Sequence, residues 1–130
     1  MKTIFNRDGV KVKPDPSSSL PGQVRAERVW KDHPVIVISR FRVPPERTEG
    51  FVGQARAAIE VLSSADGFRS ADLGRNTDEP DLWTITTRWR NVGSYRRGLG
   101  SYEAKLTVAP LLSEAVDEPS AYIDPDDLTL

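Results

Sequence analysis

The chain has 130 residues, 38% apolar and 28% charged, with a net charge of −1, which reads as one globular domain with room for a modest core. There is no cysteine, which excludes disulfides, iron–sulfur ligation and thiolate catalysis. A near-neutral molecule offers no field to recruit nucleic acid, and no stretch approaches the roughly 18 consecutive apolar residues of a membrane span.

Met1 to Val12 carries scattered charge and no apolar h-region, so a secretory signal is not expected and a cytoplasmic protein is. Thr3-Ile4-Phe5 and Val10-Lys11-Val12 flank Asn6-Arg7-Asp8-Gly9, a candidate hairpin with an Asp-Gly turn. Lys13 to Gly22 is a Pro/Ser linker that buries little. Residues 1–33 are therefore read as an arm. Residues 1–30 hold six basic and three acidic side chains, whereas residues 113–130 hold six acids and no base. Residues 125–130 are read as an acidic tail.

From Pro34 the pattern sharpens. Val35 to Val43 is β-branched, begins as an apolar run and ends alternating, as a central strand does. Pro44-Pro45 stops it, and Pro45-Glu46 opens a helix with proline and acid in the first turn. Phe51, Ala55, Ala58, Ile59 and Leu62 form its apolar stripe, with Arg56 and Glu60 paired on the far side. Gly50 and Gly53 weaken this helix by about 1 kcal/mol each.

Ser63 to Gly67 ends the helix, and Phe68 to Arg75 reads as a second strand. Asn76 to Asp81 is a polar, solvated turn. Leu82 to Arg90, rich in threonine and tryptophan, is the third strand. Its parity sets Trp83, Ile85, Thr87 and Trp89 on one face and Leu82, Thr84, Thr86 and Arg88 on the other. Asn91 caps a second helix, with Val92, Tyr95, Arg96 and Leu99 at helical spacing. Gly98 and Gly100 break it, Tyr102 to Val116 resumes across Pro110, and Pro119 to Ile123 closes as a last strand.

The order β-α-β-β-α-β predicts an α+β, ferredoxin-like fold with an antiparallel sheet over residues 34–124. Helices cover one sheet face. The other keeps apolar and threonine residues, which points to a homodimer.

Four features of residues 34–124, taken together, resemble the antibiotic-biosynthesis monooxygenase domains. They are the opening strand running into Val43-Pro44-Pro45-Glu46, Asp66-Gly67-Phe68 entering strand two, Trp89 followed by Asn91-Val92-Gly93-Ser94-Tyr95, and a terminal strand after a second helical segment. The resemblance implies a dimeric α+β barrel with a pocket between sheet and helices. Some members oxygenate aromatic polyketides with no metal or flavin, others degrade haem, and many have no demonstrated reaction.

The pocket lining expected here is Trp89, Ser39, Phe41, Ile85, Tyr95 and Tyr102. Trp89 matches the family's tryptophan; it also reads as a core residue anchoring strand to helix, and the two readings overlap because a pocket wall is also core. Ser39 falls where relatives place an asparagine, and serine is shorter and lacks the amide donor. Ile85 falls where some polyketide oxygenases carry another asparagine. Tyr95 and Tyr102 belong to the pocket's lid, as hydrogen-bonding phenols or as packing. Arg40, Arg88 and Arg90 are candidate partners for an anionic intermediate, although parity makes an interface salt bridge the better reading of Arg88.

His33 is the only histidine, and the second helix has none where haem-degrading members hold iron, so no metal or other cofactor is expected. No glycine-rich phosphate loop is present. Two functions stay open. One is a cofactor-independent monooxygenase acting on a small polyketide- or quinol-like aromatic. The other is a non-catalytic dimeric module for ligand binding or interaction.

Overall fold

The computed structural model describes residues 33–128. The chain divides into two units. One, His33–Asp124, holds the sheet and its helices; of the other, the described part is a single 3₁₀ turn, Pro125–Leu128. The hairpin expected at residues 3–12, the Pro/Ser linker and the end of the acidic tail lie outside the described residues.

Four strands, β1 (Val35–Arg42), β2 (Phe68–Arg75), β3 (Leu82–Trp89) and β4 (Ala121–Ile123), form one sheet in the order β2-β3-β1-β4. Every neighbouring pair is antiparallel. With α1 (Thr48–Ser63) joining β1 to β2, and α2 (Val92–Gly98), α3 (Tyr102–Thr107) and α4 (Ala109–Leu112) joining β3 to β4, this is the ferredoxin-like α+β arrangement expected.

Strand β1 ends where Pro44 removes a donor. Pro45–Arg47 makes one 3₁₀ turn, which leads into α1. The buried stripe of α1 is Phe51, Ala55, Ala58 and Leu62, with Ile59 at its margin. Arg56 and Glu60 are both exposed, and no ion pair joins them; two solvated side chains gain little from being fixed in one geometry.

Gly67 turns the chain into β2 at φ +91°, a conformation that strains residues with a Cβ. Its carbonyl accepts the Arg90 N–H, and a Cβ there would fall on the Ser94 side chain. A bulge between Phe68 and Ser70 then sets the β2 register, leaving Leu73 opposite Ile85.

Register and parity divide the sheet. Val35, Val37, Ser39 and Phe41 share the buried helix side with Trp83, Ile85, Thr87 and Trp89. Aromatic contacts mark both ends of this core. Phe51 bridges Phe41 (5.1 Å between ring centroids) and Trp83 (5.5 Å) at one end. At the other, Trp89 lies between Phe68 (5.4 Å) and Tyr95 (5.6 Å). Such pairs contribute about 0.5–1.5 kcal/mol each beyond their buried area. The opposite face presents half-buried Ile36, Ile38, Leu82, Thr84 and Thr86 and the exposed Arg88. No helix among the described residues is long and apolar enough to cross a membrane.

The polar turn between β2 and β3 is more engaged than its composition suggests. Arg42 reaches Glu79 at 2.6 Å and Asp81 at 3.3 Å, while the Asn76 side chain accepts the backbone N–H groups of Asp78 and Glu79.

Candidate functional site

The last strand is shorter than expected, beginning at Ala121 instead of Pro119. Val37 pairs with Ala121, the last pair of this ladder. The chain leaves the ladder there and rejoins β1 through one bond, from the Val116 N–H to the Arg40 carbonyl at 2.8 Å. On the near side, the Ile38 N–H donates to the Ser120 carbonyl at 2.7 Å. Residues 117–119 bow out between these two anchors.

A salt bridge holds the bow. Arg40 donates through Nε and Nη2 to the two carboxylate oxygens of Glu118, both at 2.6 Å. These hydrogen bonds, aided by the Arg40 charge, hold the Glu118 carboxyl below its ordinary range against the opposing effect of burial. The same contact raises Arg40 above its ordinary value.

Beneath the bow lies a cleft of about 310 Å³. Ile38 and Ser39 of β1, Tyr95 of α2, Leu112 of α4, and Ser113, Ala115, Val116, Asp117, Glu118 and Ser120 line it. Tyr95 is positioned by a capped helix: the Asn91 side chain accepts the Ser94 N–H at 2.8 Å, as expected for an N-cap. Burial raises the Tyr95 phenol above its ordinary value, opposed by the charge of Arg96. At neutral pH the phenol is therefore a proton-bearing hydrogen-bond donor.

Of the six side chains expected in the lining, the structure brings Ser39 and Tyr95 together at this cleft. Trp89 stands one layer behind, fully buried, with its ring against Tyr95 and its Nε1–H donating to Thr87 Oγ1 at 2.8 Å. Phe41 and Ile85 belong to the core, 2% and 4% exposed. Tyr102 is 76% exposed and lies outside the lining. Its helix is a fresh start: Ser101 caps α3 by accepting the Ala104 N–H, and this resets which residues face inward.

Of the three arginines considered for an anion, Arg40 is bound to Glu118 and Arg90 to Asp66 at 2.9 Å. Arg88 is exposed on the open sheet face. Among the described residues, no three His, Cys, Asp or Glu side chains gather as a metal site.

Sequence reading missed the wall formed by residues 112–120. Its course follows from two backbone bonds to β1, Val116 N–H to the Arg40 carbonyl and Ile38 N–H to the Ser120 carbonyl, which no local pattern in residues 112–120 records.

Comparison with solved structures places the fold among known relatives. A conserved protein from Methanosarcina mazei is 22% identical, with a TM-score of 0.61 over 75% of this chain and 98% of its own. A Mycobacterium tuberculosis protein is 25% identical, with a TM-score of 0.56 over 70% of this chain and 92% of its own. SnoaB from Streptomyces nogalater, a cofactor-independent oxygenase, is 17% identical, with a TM-score of 0.57 over 71% of this chain and 93% of its own. The likeness in each case is one of fold. No curated protein matches the chain. The sequence profile of the antibiotic biosynthesis monooxygenase family matches residues 34–109, more than half of the chain, and the chain belongs to that family.

Proposed function

We propose that this protein is a monooxygenase that needs no cofactor and oxidises a small quinol- or polyketide-like aromatic bound in the cleft beside Ser39 and Tyr95. The observation that carries the proposal is the cleft itself. Its volume of about 310 Å³ lies at the low end of small-molecule sites, roughly 300–1,000 Å³. It combines a protonated phenol, serine hydroxyls and a carboxylate that has no ion-pair partner among the described residues with a hydrocarbon wall.

Molecular oxygen is the co-substrate. An activated ring methylene, R₂CH₂, reacts with O₂ to give R₂C=O and H₂O: one oxygen atom enters the substrate, the other leaves as water, and the substrate supplies all four electrons. The protein's part is to bind the ring, exclude water and accept a proton. Asp117 lines the cleft, is exposed, and has no ion-pair partner among the described residues, so it is the proton acceptor. Tyr95 donates a hydrogen bond to the ring oxygen that gains charge.

Oxygen uptake tests this reading, with anthrone, whose central ring carries such a methylene, as substrate and a chelator present. Protein-dependent uptake above spontaneous autoxidation is expected, and Asp117→Asn should lower it by about 100-fold or more, the usual range for a lost general base. Uptake no faster than autoxidation would overturn it. A non-catalytic binding module is the second reading, favoured by Ile85: it lies in the core and leaves β3 with no polar group at the cleft. Binding without turnover in the same assay would select it.

A further inference from the structure

We infer that the aromatic ligand of this cleft carries a cationic nitrogen, and that Asp117 selects for it. The inference rests on the cleft being the substrate site, and it adds the ligand's charge.

The lining contains two carboxylates, Asp117 and Glu118, and no lysine, arginine or histidine. Their circumstances differ. Glu118 is held by the two 2.6 Å hydrogen bonds from Arg40, so its charge is compensated at the rim. Asp117 has no ion-pair partner among the described residues. The other polar groups of the lining are neutral hydroxyls: Ser39, Ser113, Ser120 and Tyr95. Among the described residues, the lining thus carries one carboxylate without an ion-pair partner, beside an apolar wall. A ligand carboxylate would meet like charge there, with no cation in the lining to offset it. An ammonium group would meet its complement.

The proposed chemistry leads to the same ligand. When Asp117 takes a proton from the substrate, the negative charge moves to the ring oxygen and the charge of the site is unchanged. A cation on the ligand therefore compensates Asp117 before the transfer and the oxyanion after it. The lining has no arginine to supply that compensation, and Arg40 beside it is committed to Glu118.

Titration calorimetry with three probes of one ring system tests the idea: 1-naphthylmethylamine (cationic), 2-naphthol (neutral) and 2-naphthoate (anionic), at pH 7 on the whole chain. Asp117 is exposed, so Asp117→Asn should fold, and its melting temperature checks that it does. The amine should bind roughly tenfold more tightly than the carboxylate, an attraction and a repulsion each of exposed-pair size. Asp117→Asn should bring the three affinities together, and added salt should narrow the gap in the wild type. Equal binding of all three, tighter binding of the carboxylate, or a gap that survives in Asp117→Asn would overturn the charge assignment while leaving the cleft as a site. If no probe binds, the substrate-site reading fails, and this inference fails with it.

Discussion

Trp89 and Gly98 approach so closely that a Cβ on Gly98 would stand 2.9 Å from the indole Cη2 and 3.1 Å from Cζ3. Gly98 is buried and is the last residue of α2. The sequence pattern marks it as a helix breaker; in the structure it is the place where the helix lies against the largest fully buried side chain of the core. This contact, together with the Trp89–Tyr95 ring contact, fixes the helix that carries Tyr95 to the end of β3.

Gly98→Ala is accordingly expected to destabilise the protein by about 1–3 kcal/mol, the usual cost of overpacking, despite alanine's better helix propensity. Gly53→Ala serves as the contrast, since a Cβ there meets nothing within 4 Å. It should stabilise α1 by about 1 kcal/mol. Thermal denaturation of the two variants checks both signs, and equal shifts would mean that the indole has room to move away.

The Arg40–Glu118 bridge makes the bowed segment sensitive to acid. The folded-state pKa of Glu118 is lowered, so its contribution is present above the unfolded carboxylate value and is lost as pH falls through the folded one. Amide exchange at Val116 and Ile38, corrected for intrinsic rates, should lose protection below about pH 4. Glu118→Gln should show the reduced protection already at pH 7. Unchanged exchange in that variant would leave the bow held by its two backbone bonds alone.

The open sheet face is expected to pair with a second copy. Ile36, Ile38, Leu82, Thr84 and Thr86 remain half-exposed there, while the helices cover the other side. Light scattering at micromolar concentration should give twice the chain mass. Thr86→Glu, placed opposite Ile38 in the β1–β3 register, should shift it toward one. A wild-type monomer at that concentration rules the pairing out.

Much of the fold was legible because strand parity and proline have direct physical meaning. Trp83, Ile85, Thr87 and Trp89 do share the buried side, and Pro44 does end β1. The site was legible only where a residue's own element positions it, as with Ser39 and Tyr95. Tyr102 went astray because Ser101 starts a new helix, and helical spacing cannot be carried across a new cap. The 112–120 wall was missed because its course depends on the β1 edge, a partner about eighty residues away in sequence; periodicity within the segment holds no trace of it.

A last prediction concerns how a bound ligand would be detected. Trp89 lies outside the cleft lining but touches Tyr95, which is in it. A hydroxylated polycyclic aromatic that displaces the Tyr95 ring alters the packing around a fully buried indole, so Trp89 emission should shift on titration. Trp89→Phe should remove most of that shift. The substitution has a cost, because it leaves the buried Thr87 Oγ1 without its donor, so the variant's melting temperature and mass must be recorded alongside. Trp83→Phe is the control. Trp83 shares the face but lies about 20 Å along β3 by the strand rise, against Phe51 and under the Arg75 guanidinium, 5.3 Å from its ring. Its loss should leave the titration nearly intact. Emission shift, rather than intensity, is the readout, since energy transfer to an aromatic ligand dims every tryptophan within range. If both variants lose the response equally, the ligand is not sensed through Tyr95, and the cleft beside Ser39 is not where it binds.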